Sequence, residues 1–436
     1  MVATCSRHLD PFVAIGVISA PDYVHRRAVL RSTWLNLEDD GRHRACTQFV
    51  VRALHAPRRV DRLLVAEEEQ HSDILRVDVP WNETRMRGPI LTLASWVRYA
   101  AANLSSARYV AKVDDDSYLH APGLARFLRR SVDNTKPHAM AYLGTLTWYS
   151  WYANKFDRCG FGWTWHGSMG MGKNCANASW AAQRCVDGCG PAIGPFPFAA
   201  GYLIILSAPL VKAIAQTPAL EEETRRLRHA TVLHTQKGFR HTQIFEDVWL
   251  GSFVHRYVAA PEHPPIAFIQ LFRSETVVDL DQTQWGSTVR PSALLVHIRS
   301  KEPRIFLAVH DFLQNSSTCR ERTHTLLCES GCDAFGVPPD AQAARLCAPV
   351  LAGSNGASAT ASSYCRIKPS KLERGQCAPT NLKPRVKALS SHERATVILR
   401  TSRAFLAVAK EAIRSSSSEG GRRLAGGGKG GGGGKG

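Results

Sequence analysis

Over its first 310 or so residues the chain alternates continuous apolar runs with amphipathic stretches, and beyond them that rhythm is lost. Phe12-Val13-Ala14-Ile15-Gly16-Val17-Ile18 predicts a strand buried on both faces, closed by the turn signal Ser19-Ala20-Pro21. Over residues 23–35, Val24, Ala28 and Leu35 fall at helical spacing, with Arg26, Arg27 and Arg31 on other faces. Residues 48–54 predict a second strand, 66–71 a helix, and 91–104 a helix packed behind a strand at 109–113. Further on, 198–207 reads as a turn into a strand, 208–215 as a short helix, and 294–297 as a short strand ending in His297. Glu246-Asp247 opens another helix, where negative charge meets the favourable end of the helix dipole. Such alternation predicts an α/β fold with parallel strands.

Two regions break the pattern. Between 148 and 190, Trp148, Trp151, Trp163, Trp165 and Trp180 lie among glycines and four cysteines. Such a segment suits either a binding loop whose aromatic faces stack on sugar rings or a disulfide-braced loop whose tryptophans fill core. Residues 311–415 hold six cysteines between Cys319 and Cys377, then Ser390-Ser391-His392-Glu393, a capping-box pattern ahead of the helical stripe Ile398, Phe405, Ala409 and Ile413. The final stretch, 416–436, is a low-complexity Gly/Ser/Lys tail expected to be disordered. These divisions give an α/β domain over 1–310, a Cys-rich extension over 311–415 and the tail.

The net charge of +18 first suggests nucleic acid, but its position removes that reading. From residue 361 to the end there are 16 Lys and Arg against 4 Glu, so the rest of the chain is only mildly basic. No nucleic-acid-binding motif accompanies the basic tail, and a nucleic-acid partner is not expected. Twelve cysteines without paired C-x2-C spacing argue for disulfides in an oxidising compartment, with Cys5 and Cys46 as one candidate bridge. The sequons at Asn82, Asn103, Asn177 and Asn315 agree with that compartment. No signal peptide or run of 18 apolar residues is seen, so an anchor is expected to be missing from this sequence, a cytosolic protein being the alternative.

The most telling chemistry is Asp114-Asp115-Asp116, at the end of the strand Tyr109-Val110-Ala111-Lys112-Val113. Three adjacent carboxylates repel one another unless a cation offsets them, and hard divalent metals prefer oxygen ligands. The crevice beyond the carboxyl ends of strands is also where ligands bind in open α/β sheets. A solvated acidic turn is the competing reading.

Five segments in order resemble the β-1,3-galactosyltransferase family (inverting, family 31 type). They are Ser19-Ala20-Pro21 with Arg26-Arg27-Ala28-Val29-Leu30-Arg31-Ser32-Thr33-Trp34; Asp73-Ile74-Leu75; Lys112-Val113-Asp114-Asp115-Asp116; Ala200-Gly201-Tyr202 with Leu206-Ser207; and Glu246-Asp247-Val248-Trp249-Leu250-Gly251. The resemblance implies a GT-A-type nucleotide-sugar-binding fold with a central mixed, mostly parallel sheet flanked by helices, a UDP-sugar donor and Mn2+. It implies Asp116 as metal ligand with His297 beside it, and Asp114 and Asp115 as donor-binding neighbours. Ser19, Arg27 and Arg31 would line the nucleotide pocket, with Asp73 towards the uracil end. Asp247 is implied as the general base, with Glu246 as the alternative. The expected activity is transfer of a hexose, galactose first, from UDP-galactose to a hydroxyl of a glycan or glycoprotein acceptor, with inversion and a β-1,3 linkage. N-acetylglucosamine transfer, an inactive sugar-binding module and a basic-tail interaction protein are the alternatives. The resemblance further implies the Golgi lumen and its membrane. One departure stands out: the family's Tyr-x-Asn-Leu-Thr-x-Lys pattern reads Asn82-Glu83-Thr84-Arg85-Met86-Arg87 here, so Arg85 or Arg87 would have to replace the lysine.

Overall fold

A computed structural model describes residues 3–5, 10–37, 44–84, 87–133, 140–152, 162–164, 192–229, 245–259, 264, 266–271, 276–280, 288–299, 301–315, 324–330, 363–369 and 380–381. In chain order its elements begin with β1 (Ala3–Thr4), β2 (Val13–Ser19), α1 (Val24–Ser32), β3 (Ala45–Leu54), α2 (Arg58–His71), β4 (Ile74–Pro80), α3 (Arg87–Asn103) and β5 (Tyr109–Asp114). There follow β6 (Ser117–Leu119), α4 (Ala121–Phe127), β7 (Met140–Tyr152), β8 (Gly162–Thr164), β9 (Ala192–Ser207), α5 (Ala208–Gln216), α6 (Pro218–His229) and α7 (Glu246–Tyr257). The remainder are β10 (Ile266–Gln270), β11 (Val277–Leu280), β12 (Thr288–Val289), β13 (Leu295–Ile298), α8 (Pro303–Asn315), β14 (His324–Ser330), β15 (Ser363–Pro369) and β16 (Thr380–Asn381).

The main sheet runs β1-β3-β2-β5-β9-β7-β10-β15-β14, with β4 on β3 and β8 on β7. It is mixed and mostly parallel: β1, β2, β3, β4 and β5 pair in parallel, whereas β9 pairs antiparallel with both β5 and β7. Strand β2 is buried on both faces, which is why it is free of polar side chains up to its terminal Ser19. Val13, Ile15 and Val17 face one core, and Ala14 the other. On the first face α1, α8 and a small sheet cover the strands; on the second, α3, α5 and α7 do. Gly16 makes room for Trp96 of α3, since a Cβ there would sit 2.5 Å from the indole. That indole in turn donates Nε1–H to the Ala111 carbonyl at 3.2 Å.

From β2 the chain crosses over to β3 and β4 on one side and returns with β5 on the other. The carboxyl ends of β2 and β5 therefore flank a topological switch point, where such sheets open a crevice. Ser19 ends β2 and Asp114 ends β5. The small sheet, β11-β13-β6, starts directly after the acidic trio. Its register sets Ser117 opposite His297 and His297 beside Asp279.

Several expectations are refined. The first three predicted strands and the long helix α3 are present, but α2 begins at Arg58 rather than at 66. Strand β7 extends to Tyr152, into the stretch read as irregular. Most of the Trp/Cys-rich insert, Cys319, Cys332, Cys347 and Cys377, the 390–413 helical stripe and the tail lie outside the described residues, whereas Cys328 of β14 and Cys365 of β15 fall opposite each other in register. The expected Cys5–Cys46 disulfide is formed and fastens β1 to β3.

Candidate active site

Each member of the acidic trio has a different partner. Lys112, buried in β5, donates Nζ–H bonds to Asp114 Oδ1 at 2.6 Å, Glu246 Oε1 at 2.8 Å and the Gly201 carbonyl at 2.5 Å. Asp115 accepts from Ser19 Oγ at 2.8 Å and from Arg26 Nη1 at 2.9 Å, and Arg26 lies over the Tyr23 ring. Asp116 has His297 Nε2 3.4 Å from Oδ1 and Lys301 Nζ 3.3 Å from Oδ2. The repulsion inferred from the sequence is thus offset, carboxylate by carboxylate, by cations of the protein itself. Charge crowding alone therefore does not require a metal.

His297 is oriented by its neighbours. Its Nδ1 stands 3.0 Å from Asp279 Oδ1, which leaves Nε2 towards Asp116, and Arg299 grips Asp279 through two bonds of 2.9 and 2.6 Å. Burial opposes charge on the imidazole, but the neighbouring Asp116 and Asp279 carboxylates outweigh it and raise its pKa to about 9. The Tyr202 ring lies 5.1 Å from the His297 ring. Tyr202 follows Gly201, so His297 and the Glu246-Asp247 pair flank one short piece of β9.

Asp247 sits in the first turn of α7. Its Oδ2 accepts from Gly201 N–H at 2.9 Å and its Oδ1 from Val248 N–H at 2.7 Å. Burial, reinforced by the Glu246 anion and opposed by Lys112, raises its pKa to about 7. Burial would also raise Glu246, but the Lys112 ammonium overcomes it and holds that carboxyl below its usual range. Of the two acids, Asp247 is poised near neutrality and Glu246 is fixed as an anion. Gly201 is needed for the close approach: a Cβ would lie 3.0 Å from Glu246 Oε1 and 3.4 Å from both Asp247 Oδ2 and Lys112 Nζ.

The arginines expected to line a nucleotide pocket form a brace. Arg27 is fully buried, and its five N–H groups reach Glu67 twice, Ser19 Oγ, and the Ala20 and Pro21 carbonyls. That corrects the expectation for Arg27, which has no N–H left to offer a nucleotide. Arg31 binds Asp73 through Nε at 2.8 Å and Nη2 at 2.7 Å, and Glu67 through Nη1 at 2.6 Å. Asp73 thus has both oxygens engaged by Arg31. The brace still serves the crevice, because Arg27 holds Ser19, and Ser19 holds Asp115. Of the two replacement arginines, Arg87 pairs with Glu83 at 2.9 Å and reaches the Leu227 carbonyl; Arg85 lies outside the described residues.

Lys112, Arg26, Gly201, Asp279 and Lys301 were not named as site residues from the sequence. A lysine inside an otherwise apolar strand was the available signal for Lys112. Asp279 and Lys301 stand in no motif and carried none.

No group of three or more His, Cys, Asp and Glu side chains forms a metal cage among the described residues. Asp116 and His297 nevertheless fit one edge of a metal site. Adjacent ligands of an octahedral ion at about 2.1 Å stand about 3 Å apart, close to the separation here. Asp116 Oδ1 is buried without a hydrogen-bond partner. An ion there would take its other ligands from phosphate and water, as Mg2+-type sites commonly do. It would also compete with the Lys301 ammonium for Asp116.

Residues 25–223 match the family model described as Galactosyltransferase. The match includes the acidic trio and stops short of Glu246, Asp247 and His297. Over 124 residues the chain is 30% identical to N-acetyllactosaminide beta-1,3-N-acetylglucosaminyltransferase 4 of Homo sapiens, covering 28% of this chain and 32% of that protein. Over 116 residues it is 31% identical to Beta-1,3-galactosyltransferase 4 of Mus musculus, covering 26% of this chain and 29% of that protein. The matched stretch spans only about a third of these relatives. Among solved structures, galactosyltransferase LgtC in complex with donor and acceptor sugar analogs superposes with a TM-score of 0.31 at 10% identity, covering 69% of this chain and 96% of that one, too loosely to add weight. Over residues 25–223, then, the chain is similar to the galactosyltransferase family.

Proposed function

We propose that this protein is an inverting glycosyltransferase that moves galactose from UDP-galactose to a glycan or glycoprotein hydroxyl, forming a β-1,3 linkage. The observation that carries the reading is the pairing, across Gly201 and Tyr202, of an Asp116–His297 edge with a buried Asp247 poised near pH 7. In this reading Asp247 takes the proton of the attacking hydroxyl, a role best filled by a base whose pKa lies near the working pH. Glu246 is not free for that role, because Lys112 holds it as an anion. Asp116 and His297 would hold Mn2+, which when bound neutralises charge on the diphosphate as UDP leaves. Asp114, with its side chain 32% exposed beside Lys112, is the member of the trio open to the donor sugar.

The second reading is N-acetylglucosamine transfer, favoured by relatives named as β-1,3-N-acetylglucosaminyltransferases. We place the protein in the Golgi lumen at the membrane. The Cys5–Cys46 bridge supports an oxidising compartment. None of the helices described is long and apolar enough to cross a bilayer. The test is a donor screen with UDP-galactose, UDP-N-acetylglucosamine, UDP-glucose and UDP-glucuronate in Mn2+, followed by an acceptor array. Transfer of galactose supports the first reading, transfer of N-acetylglucosamine the second, and no transfer from any donor overturns both.

A further inference from the structure

We infer that Lys112 is a positioning residue for the reaction: one buried ammonium ties β5, β9 and α7 together at Gly201 and Glu246, and so fixes where the adjacent Asp247 carboxylate stands. The inference rests on the reading of Asp247 as the base. Lysine is rarely buried without a partner, since an ammonium gives up its hydration on leaving water. Here the side chain is 2% exposed and all three of its donors are engaged, by Asp114, Glu246 and the Gly201 carbonyl.

Gly201 is the hinge of the argument. Its carbonyl accepts from Lys112, while its N–H donates to Asp247 Oδ2. The peptide groups on either side of one α-carbon are therefore held between the ammonium and the carboxylate. The second tether runs through the helix: Glu246 is the residue before Asp247, and its Oε1 is 2.8 Å from Lys112 Nζ. Lys112 thus reaches Asp247 by two routes, through β9 and through the first turn of α7, without touching it. Stability alone would not call for this arrangement, because a buried ion pair is commonly replaceable by apolar residues of similar volume at little cost. What such a replacement would lose is the fixed relation between β5, which carries the acidic trio, and α7, which carries the base. Misplacing a catalytic group by about 1 Å can cost about 100-fold in rate.

The test compares K112M and K112M/E246Q with the wild-type chain by thermal unfolding, by UDP affinity in Mn2+, and by kcat and donor KM in the transfer assay. K112M strands the Glu246 carboxylate and is expected to lose both stability and turnover. Neutralising Glu246 in the double variant restores thermal stability, while kcat stays about 10- to 100-fold below wild type with UDP affinity and donor KM within about twofold. Recovery of stability without recovery of turnover is the mark of positioning. A double variant whose kcat returns to the wild-type value along with its stability would overturn the inference and leave Lys112 a structural ion-pair partner. Wild-type protein that transfers no sugar would instead remove the functional reading, and this inference with it.

Discussion

Replacing Asp247 by Asn probes the proton-transfer step with a minimal change of shape. Asp247 accepts two backbone N–H bonds, one on each oxygen. An amide has a single acceptor oxygen, so either the Gly201 or the Val248 N–H is left facing an NH2 group. Leaving a buried donor unsatisfied costs about 1–3 kcal/mol. An opposing effect is of similar size: burial holds this carboxyl near pH 7, so above that pH its ionised form weakens the fold, and Asn removes that penalty. The two roughly cancel, and D247N should remain folded at pH 8. Turnover should then fall by about 100- to 10,000-fold, the usual contribution of a general base. At about 1.4 kcal/mol per decade this is roughly 3–6 kcal/mol of transition-state stabilisation. The assay is UDP release in the presence of acceptor from pH 5 to 9, with UDP binding measured separately by calorimetry. Wild-type kcat should fall as pH drops through about 7, because the base must be unprotonated, and this limb should vanish in D247N. Unchanged turnover, or an intact acid limb in D247N, would refute the assignment.

Other expectations follow from the brace, the histidine and the disulfide. E67Q withdraws a buried partner from Arg27 and Arg31 and should lower unfolding stability in urea by about 3–5 kcal/mol. Burial would raise the Glu67 carboxyl, but Arg27 and Arg31 depress it, so its contribution is present above its ordinary pKa and is lost as pH falls below it; E67Q should flatten that acid limb of stability. D279N removes the carboxylate that orients His297 and should weaken Mn2+ binding by about 10- to 100-fold, read by electron paramagnetic resonance without any turnover. C5A/C46A opens a loop closed across 41 residues and should lower stability by about 2–4 kcal/mol, with unchanged stability counting against the bridge.

The sheet was legible where burial is two-sided, because strands such as β2 must then be apolar along nearly their whole length. Helix α2 was read too short because its first turns, Arg58-Arg59-Val60-Asp61-Arg62, show too few apolar positions to reveal a period. Of the small sheet only the strand at 294–297 was legible: Ser117–Leu119 is three residues and Val277–Leu280 four, too few for alternation to register. Yet that sheet is what sets His297 against Asp116. The acidic trio and the Glu246-Asp247 pair stood out as local clusters, whereas the partners that assign them different tasks lie far away in sequence. Arg27 and Glu67 are 40 residues apart, and Lys112 and Glu246 are 134 apart. Local pattern cannot tell a ligand-facing arginine from one that is buried against a distant carboxylate.

Crystals grown with Mn2+ and UDP, measured at the manganese absorption edge, would test most directly whether the acidic trio and Asp247 serve one crevice. The account predicts an anomalous peak between the Asp116 carboxylate and His297 Nε2, with the diphosphate on the metal and Asp247 facing the space beyond it. Manganese and UDP bound away from Asp116 and His297, or UDP bound with Asp247 on the far side of the sheet, would contradict it.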